Sequence, residues 1–282
     1  MAGYSQAMLT SPEPILVVGL FPPERAALLG LLHSLTADDF ERPTIAGDWT
    51  VKDIAGHLIA DDLGRVSSQR DGYRRRWDPS IEPLRSYIDR RNAEWVTAMG
   101  RLSPRVIRSL LEFSGAETQA LFESLDPFAV GPSVDWAGPE PGPVWLDLAR
   151  ELTERWHHQQ QIRDAVGAPI LDDPSLLGPV LATFAFALPM TYRDVKTPNG
   201  TTVQLSVEGP SGGDWTLIRQ HAGWTLHVGA DEMPEALVTM DQDAAWRMYV
   251  RALPSHEVER RARVAGDARL ARPLFDVFAL VS

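Results

Sequence analysis

The residues best able to do chemistry in this chain lie in one polar and aromatic run. It reads Glu154-Arg155-Trp156-His157-His158-Gln159-Gln160-Gln161-Ile162-Arg163. In a helix, residues four apart lie one above the other, so Glu154 and His158 can point at one spot. A carboxylate and an imidazole placed in this way can share one cation. The alternative interpretation is a mild surface pair of the kind that exposed helices often carry.

A second imidazole comes from a separate helical segment that contains His57. His57 lies among apolar residues such as Ile54 and Leu58, so we expect its ring to point inward. A buried imidazole without a partner would be costly, and a cation shared with Glu154 and His158 would satisfy it. Three protein ligands and one open position are how a catalytic zinc is usually held. The alternative is an ordinary hydrogen-bonded core histidine.

The surroundings of the candidate site leave a further alternative open. On a helical wheel, Glu151, Glu154, His158 and Gln161 share one face, and such a polar stripe can simply face water. Asp61 follows His57 by one turn and is positioned to orient its ring, unless a backbone carbonyl does so.

The composition limits the classes of function. With 282 residues, 44% of them hydrophobic and 23% charged, the chain resembles a soluble globular protein of two domains. A formal net charge of −11 argues against a nucleic-acid partner, which would need a basic face. The chain has no cysteine. Any sulfur nucleophile must therefore be a small-molecule thiol.

The apolar segments argue against a membrane protein. No apolar run approaches the roughly 18 residues that cross a bilayer. The segment 14–20 is short and lacks a basic start, so it is a poor signal peptide. We therefore expect no membrane partner and a cytoplasmic location.

The hydrophobic periods predict two regions, residues 1–190 and residues 191–282. Helical patterns cover 22–36, 50–68, 81–100, 104–125, 144–167 and 175–188, with a loop of fixed shape at 126–143. Alternating patterns then predict strands at 202–207, 215–219, 224–228, 236–240 and 261–266, and helices at 241–253 and 270–281. The predicted fold class is α followed by α+β, a helical bundle and then a small mixed domain.

Two motifs in the helical region resemble a known family. The segment Gly47-Asp48-Trp49-Thr50-Val51-Lys52-Asp53-Ile54-Ala55-Gly56-His57-Leu58 resembles the tryptophan-to-histidine signature of the DinB-like, mycothiol-dependent maleylpyruvate isomerase N-terminal domain. Glu154 and His158, followed by Gln160-Gln161-Ile162-Arg163, resemble its second signature. The segments at 241–246 and 265–270 are similar to the sterol-carrier-like domain that often follows.

The resemblance implies a DinB-type four-helix bundle that holds a divalent metal through His57, Glu154 and His158. The metal implied is zinc, with nickel or another ion as alternatives, and the cosubstrate is a low-molecular-weight thiol such as mycothiol, bacillithiol or glutathione. Two departures matter. His157 offers an alternative ligand beside His158, and Gln161 stands where relatives often have aspartate.

These inferences predict a metal-dependent enzyme. It would activate the thiol for transfer to, or isomerisation of, a small electrophilic substrate. Arg247 and Arg251, one turn apart on a predicted helix, are the best candidates for catalytic anion-binding residues, followed by Arg219. Their alternative interpretation is solvated surface charge. The alternative functions are a non-catalytic metal- or ligand-binding module and a metallohydrolase, and the expected state is a monomer or homodimer.

Overall fold

The computed structural model describes residues 9–73 and 77–280, with the backbone alone for Leu84. Its contacts divide the chain into two compact units. The helical unit holds residues 18–126 and 154–171, and the sheet unit holds residues 9–17, 127–153 and 172–280. The units interleave along the chain. The sequence instead predicts a single domain boundary after residue 190. That boundary stays a prediction.

The helices of the first half follow the predicted pattern. They are α1 (Phe21–Ser34), α2 (Ala37–Phe40), α3 (Val51–Arg65), α4 (Leu84–Met99), α5 (Pro104–Ser124) and α6 (Val144–Val166). The caps explain several starts: Thr50 and Asp53 form the predicted capping box of α3, and Pro104 occupies the first turn of α5 after the Ser103 cap. The short α2 was not predicted.

The core of the helical unit surrounds α3. Ile54, Ala55 and Leu58 are fully or almost fully buried, together with residues of α1, α5 and α6 such as Leu28, Leu111 and Ile162. Gly56 allows α4 to approach closely, since a Cβ atom there would lie 2.7 Å from the Cβ of Met99. The helix that carries His57 is therefore packed along much of its surface.

The sheet unit is built on a five-stranded mixed sheet. Its strands are β3 (Thr202–Glu208), β4 (Gly213–Gln220), β5 (Gly223–Val228), β6 (Ala236–Asp241) and β7 (Arg263–Gly266). They lie in the order β5-β4-β3-β6-β7, and all pairs are antiparallel except β3 with β6. Its helices are α7 (Pro174–Phe184), α8 (Leu188–Thr191), α9 (Gln242–Tyr249), α10 (Ser255–Arg261) and α11 (Ala268–Ala271). A helical region followed by a mixed sheet region confirms the predicted fold class.

Three details differ from the sequence expectations. The predicted loop at 126–143 contains a two-stranded sheet, β1 (Val130–Ser133) with β2 (Pro141–Pro143), whose prolines and glycines hide the strand pattern. The predicted closing helix at 270–281 is wrong, because α11 passes into a 3-10 turn at Arg272–Asp276 that contains Pro273.

The third difference concerns the expectation that no apolar stretch is long enough to cross a membrane. The helical stretch Pro174–Thr191 has 18 residues and a mean hydropathy of 1.4, which is sufficient by length and composition alone. Half of this stretch is buried inside the protein. A buried core helix passes the same test, so the stretch is weak evidence for a membrane.

Candidate active site

Helices α3 and α6 bring two imidazoles together inside the helical unit. The ring centroids of His57 and His158 lie 4.8 Å apart, with the rings at 75° to each other. The residues are 7% and 9% exposed. The inward orientation expected for His57 is therefore confirmed. Trp49 lies against the same ring, with 5.0 Å between the centroids.

The polar run of α6 does not face water. Buried positions run almost without interruption through it, and they include Arg155, His157, Gln159 and Gln160. Glu154 is half-buried. Within the predicted stripe itself, Glu151, His158 and Gln161 are buried, so its interpretation as a solvated surface is wrong.

Each imidazole of the pair has one ring nitrogen held by a neighbour one turn away. His57 Nε2 lies 3.3 Å from Asp61 Oδ2, as the spacing along α3 suggested. His158 Nδ1 lies 2.8 Å from Gln161 Oε1. An amide oxygen only accepts hydrogen bonds, so Nδ1 of His158 carries the hydrogen and Nε2 presents its lone pair.

Burial keeps the imidazoles of α6 neutral. It lowers the pKa of His158 well below the ordinary 6.5, and the neighbouring rings of His57 and His157 lower it further. Burial also lowers the pKa of His157 to about 4. Neutral imidazole is the form that binds a metal.

The donor chemistry of the pair fits a divalent cation in part. Nδ1 of His57 is buried and has no hydrogen-bond partner within the described chain. Nε2 of His158 carries no hydrogen, so its lone pair is available to a metal. Within residues 9–73 and 77–280, no group of three or more His, Cys, Asp or Glu side chains is arranged to hold a metal. The two imidazoles meet, but Glu154 does not complete a three-ligand cluster. The full ligand set stays a prediction.

His157 remains an alternative ligand. Its ring centroid lies 5.6 Å from that of His158, and its buried Nδ1 has no hydrogen-bond partner in the described part of the chain.

A buried charge network links the helices that carry the histidines. Asp62 follows Asp61 on α3 and has no exposed surface. Its carboxylate accepts hydrogen bonds from Arg25 Nη2 at 2.8 Å, Arg155 Nη2 at 2.8 Å and Ser114 Oγ at 2.7 Å. Burial opposes ionisation, but Arg155 and Arg25 outweigh it, so the pKa of Asp62 lies below its ordinary value. These bonds tie α3 to α1, α5 and α6 next to the imidazole pair.

The glutamines of α6 satisfy a second set of buried groups. Gln159 Nε2 donates to Glu24 Oε1 at 2.8 Å, and Gln159 Oε1 accepts from Arg163 Nη2 at 2.9 Å. Gln160 Oε1 accepts from the backbone N–H of Leu171 at 3.1 Å. No local sequence pattern singles out Asp62, Glu24 or Gln159. The sequence signal that could have found them is that this helix carries polar residues around nearly its whole circumference.

The two predicted catalytic arginines lie in the sheet unit. Arg247 Nε lies 3.0 Å from Asp243 Oδ1, and its guanidinium stacks on Trp246, 4.2 Å from the ring centroid. The expectation that Arg251 shares a helix with Arg247 is wrong, because α9 ends at Tyr249. Arg251 instead adopts a left-handed backbone with φ 53°. A catalytic role for either arginine stays a prediction.

Comparison with known proteins gives the family. The profile described as the mycothiol maleylpyruvate isomerase N-terminal domain matches residues 21–163, which include His57, Glu154 and His158. The chain belongs to this family. The matched range covers α1 to α5 and nearly all of α6, so the imidazole pair lies within the family domain.

The chain is similar to two mycobacterial proteins and to solved structures. Uncharacterized protein MT0041 and uncharacterized protein Rv0036c of Mycobacterium tuberculosis are each 25% identical over 227 residues, which cover 76% of this chain and 83% of the relative. A crystal structure of the mycothiol-dependent maleylpyruvate isomerase matches with a TM-score of 0.52 at 16% identity, over 82% of this chain and 86% of that chain. The likeness to this crystal structure shows a shared fold. The neighbours also include sterol carrier protein 2 like 2 of Aedes aegypti, with a TM-score of 0.25 at 17% identity over 47% of this chain and 98% of that chain.

Proposed function

We propose that this protein is a metal-dependent enzyme that activates a low-molecular-weight thiol. The thiol would isomerise a small electrophilic substrate or be transferred to it. Membership of the mycothiol maleylpyruvate isomerase N-terminal domain family supports the thiol. The observation that carries the metal is the buried pair of His57 and His158, in which Nδ1 of His57 lacks a partner among the described residues.

His57 and His158 would hold the cation, with Glu154 as the third ligand and His157 as the alternative to His158. The expected metal is zinc, and nickel or another divalent ion would suit the same donors. When bound, such a cation favours the thiolate form of a coordinating thiol. Asp61 and Gln161 would orient the two rings, the first through a carboxylate and the second through an uncharged amide.

The sulfur nucleophile must come from outside the chain, because the chain has no cysteine. In an isomerisation, the thiolate adds to a carbon–carbon double bond conjugated to a carbonyl, and the π electrons move onto the carbonyl oxygen. The former double bond can then rotate. When those electrons return, the carbon–sulfur bond breaks and the thiolate leaves. In a transferase the carbon–sulfur bond remains, and a proton is added to the neighbouring carbon.

The deciding experiment joins elemental analysis to a reaction screen. Purified protein is assayed with mycothiol, bacillithiol and glutathione against small unsaturated carboxylates, with and without a chelator. His57→Ala is compared with His256→Ala, the same substitution at an exposed position on α10. We expect His57→Ala to lose bound metal and at least about 100-fold in activity, since loss of a residue that only orients a metal ligand already costs about 10- to 100-fold. His256→Ala should keep both.

Folding is monitored by circular dichroism, and His57→Asn provides a second variant if the alanine variant does not fold. Metal retained at full stoichiometry in a folded His57 variant contradicts the proposed ligand. Metal-dependent turnover of esters without thiol would favour a hydrolase, and bound metal with no reaction would favour a binding module.

We also propose a cytoplasmic protein, monomeric or homodimeric, that acts on soluble small molecules.

A further inference from the structure

A second place suited to a ligand lies wholly within the sheet unit. A cavity of about 520 Å³ opens between the 3-10 turn at Arg272–Asp276, the end of α8 and the β1–β2 connection. This volume is within the range of small-molecule sites. Apart from Arg251, whose catalytic role stays a prediction, the proposed thiol chemistry uses no residue of this cavity.

The lining of the cavity is basic in an acidic protein. It contains four arginines, Arg193, Arg251, Arg269 and Arg272. Two aspartates, Asp135 and Asp276, leave a net charge of +2 on the lining, although the chain as a whole carries −11. The local charge thus favours an anion that would be repelled elsewhere on the surface.

The arginines are only partly neutralised by their neighbours. Arg272 Nη1 lies 3.2 Å from Asp276 Oδ1 and 3.4 Å from Glu259 Oε1, and Arg193 Nε lies 3.4 Å from Asp194 Oδ2. Arg269 Nε is 3.6 Å from Asp267 Oδ1, and its side chain is exposed. Arg251 has no carboxylate within ion-pair distance in the described chain, and its Nη2 is 3.5 Å from the backbone oxygen of Asp276. Arg251 and Arg269 therefore have guanidinium donors available for a carboxylate fork.

Two aromatic residues supply an apolar side to the same cavity. The guanidinium of Arg251 lies 4.5 Å from the centroid of the Phe278 ring, which fixes its direction. Trp136 is 8% exposed, and its indole Nε1 is buried with no hydrogen-bond partner among the described residues. A buried N–H without an acceptor is costly, and a ligand oxygen would satisfy it.

The backbone at Arg251 gives a further reason to assign a role to this residue. Its φ of 53° is the one left-handed conformation among non-glycine residues in the described chain. A bulky side chain in this conformation is strained, and strain persists where the surrounding structure imposes it. The chain keeps an arginine at a position where glycine would be easier.

We infer that this cavity binds a small dicarboxylate with a flat apolar body. The guanidiniums of Arg251, which has no ion pair in the described chain, and of Arg269, whose pair is long, each face one carboxylate, and Phe278 and Trp136 contact the apolar part. Inorganic phosphate carries negative charge but has no apolar body. Weaker binding of phosphate than of a flat dicarboxylate would therefore distinguish this site from a general anion site.

The test is calorimetric titration of phthalate into the full chain at low salt, beside phosphate and the neutral analogue phthalamide. We expect phthalate to bind, and phosphate and phthalamide to bind at least about tenfold more weakly, because charge-assisted hydrogen bonds and apolar contact are both needed. Equal binding of phosphate overturns the dicarboxylate assignment, and no binding of phthalate overturns the site.

Variants test the assigned residues. Arg251→Gly suits the left-handed backbone, and we expect at least about tenfold weaker phthalate binding. Arg263→Gln is the matched control, since Arg263 is exposed and paired with Glu208 on the sheet. Trp136→Phe keeps an aromatic ring without the N–H and should also weaken binding. If Arg251→Gly binds phthalate as the parent does while folding normally, the assignment is wrong.

Discussion

Replacing Asp62 by asparagine tests the buried charge network that links α3 to α6. Asp62 is fully buried and bonded to Arg25, Arg155 and Ser114. Asparagine has nearly the same shape, so the change removes the charge and little else. Its amide oxygen can still accept hydrogen bonds on one side, but its NH2 group adds donors on the side where a neighbouring donor needs an acceptor.

The loss of stability expected for Asp62→Asn depends on how exposed Arg25 and Arg155 are. The Arg155 side chain is 3% exposed and cannot regain water, whereas the Arg25 side chain is 12% exposed and lies nearer to solvent. Breaking a buried ion pair from one side typically costs about 3–5 kcal/mol. We expect Asp62→Asn to lower the free energy of unfolding by about 3 kcal/mol, because two buried or nearly buried guanidiniums lose the carboxylate with which they are paired.

The assay is urea unfolding followed by far-ultraviolet circular dichroism, which reports chiefly on the helices. The control is Asp71→Asn, because Asp71 pairs with Arg70 at 2.8 Å and its side chain is half exposed. We expect little change in the control, since water solvates both partners there. A loss below about 1 kcal/mol in Asp62→Asn would refute the buried network as a source of stability.

The pH dependence gives a second check on Asp62. Its pKa in the folded protein lies below the ordinary 3.8, so its ionisation stabilises the fold above that value. This stability is lost as the pH falls through the folded pKa. The difference between parent and Asp62→Asn should therefore be full at pH 7 and vanish in strong acid. A difference that persists unchanged in strong acid would show that the charge is not responsible.

Three further substitutions probe other features. Burial raises the pKa of Glu24 above 4.5, so the folded protein loses stability as the pH rises and Glu24 ionises. Glu24→Gln should therefore raise the urea midpoint at pH 7 but not in strong acid. Arg251→Gly should be more stable than Arg251→Ala by about 1 kcal/mol, because only the alanine keeps a Cβ in the left-handed backbone; equal melting temperatures would refute the strain. Gly56→Ala places a Cβ against Met99 and should cost about 1–3 kcal/mol in urea unfolding, and an unchanged midpoint would contradict the close packing.

Local signals were sufficient for most elements of secondary structure. The capping pair Thr50 and Asp53 and the proline at 104 mark helix starts that the structure confirms. Each of these signals acts within one turn of chain. The β1–β2 pair was missed because its prolines and glycines obscure the alternation, and its pairing depends on residues up to 13 positions apart, Val130 and Pro143.

The end of α9 shows where local reasoning failed. The pattern at 241–253 favoured a helix long enough to place Arg247 and Arg251 on one face. The helix ends at Tyr249, and Arg251 takes a backbone conformation that arginine does not favour by itself. Packing of the following segment, including Phe278 against the guanidinium, overrides the local preference.

The amino-acid sequence by itself determined the family, the order of helices and strands, and the need for an external thiol if sulfur chemistry occurs. These properties depend on motifs, short-range periods and the absence of cysteine. Only the tertiary structure decided that the polar run of α6 is buried, that His57 meets His158, and that Asp62 gathers Arg25, Ser114 and Arg155. Asp62 and Arg155 are 93 positions apart, and their meeting depends on how whole helices pack. No local pattern encodes that packing, because the free energy that selects it comes from burying the apolar faces of several helices at once.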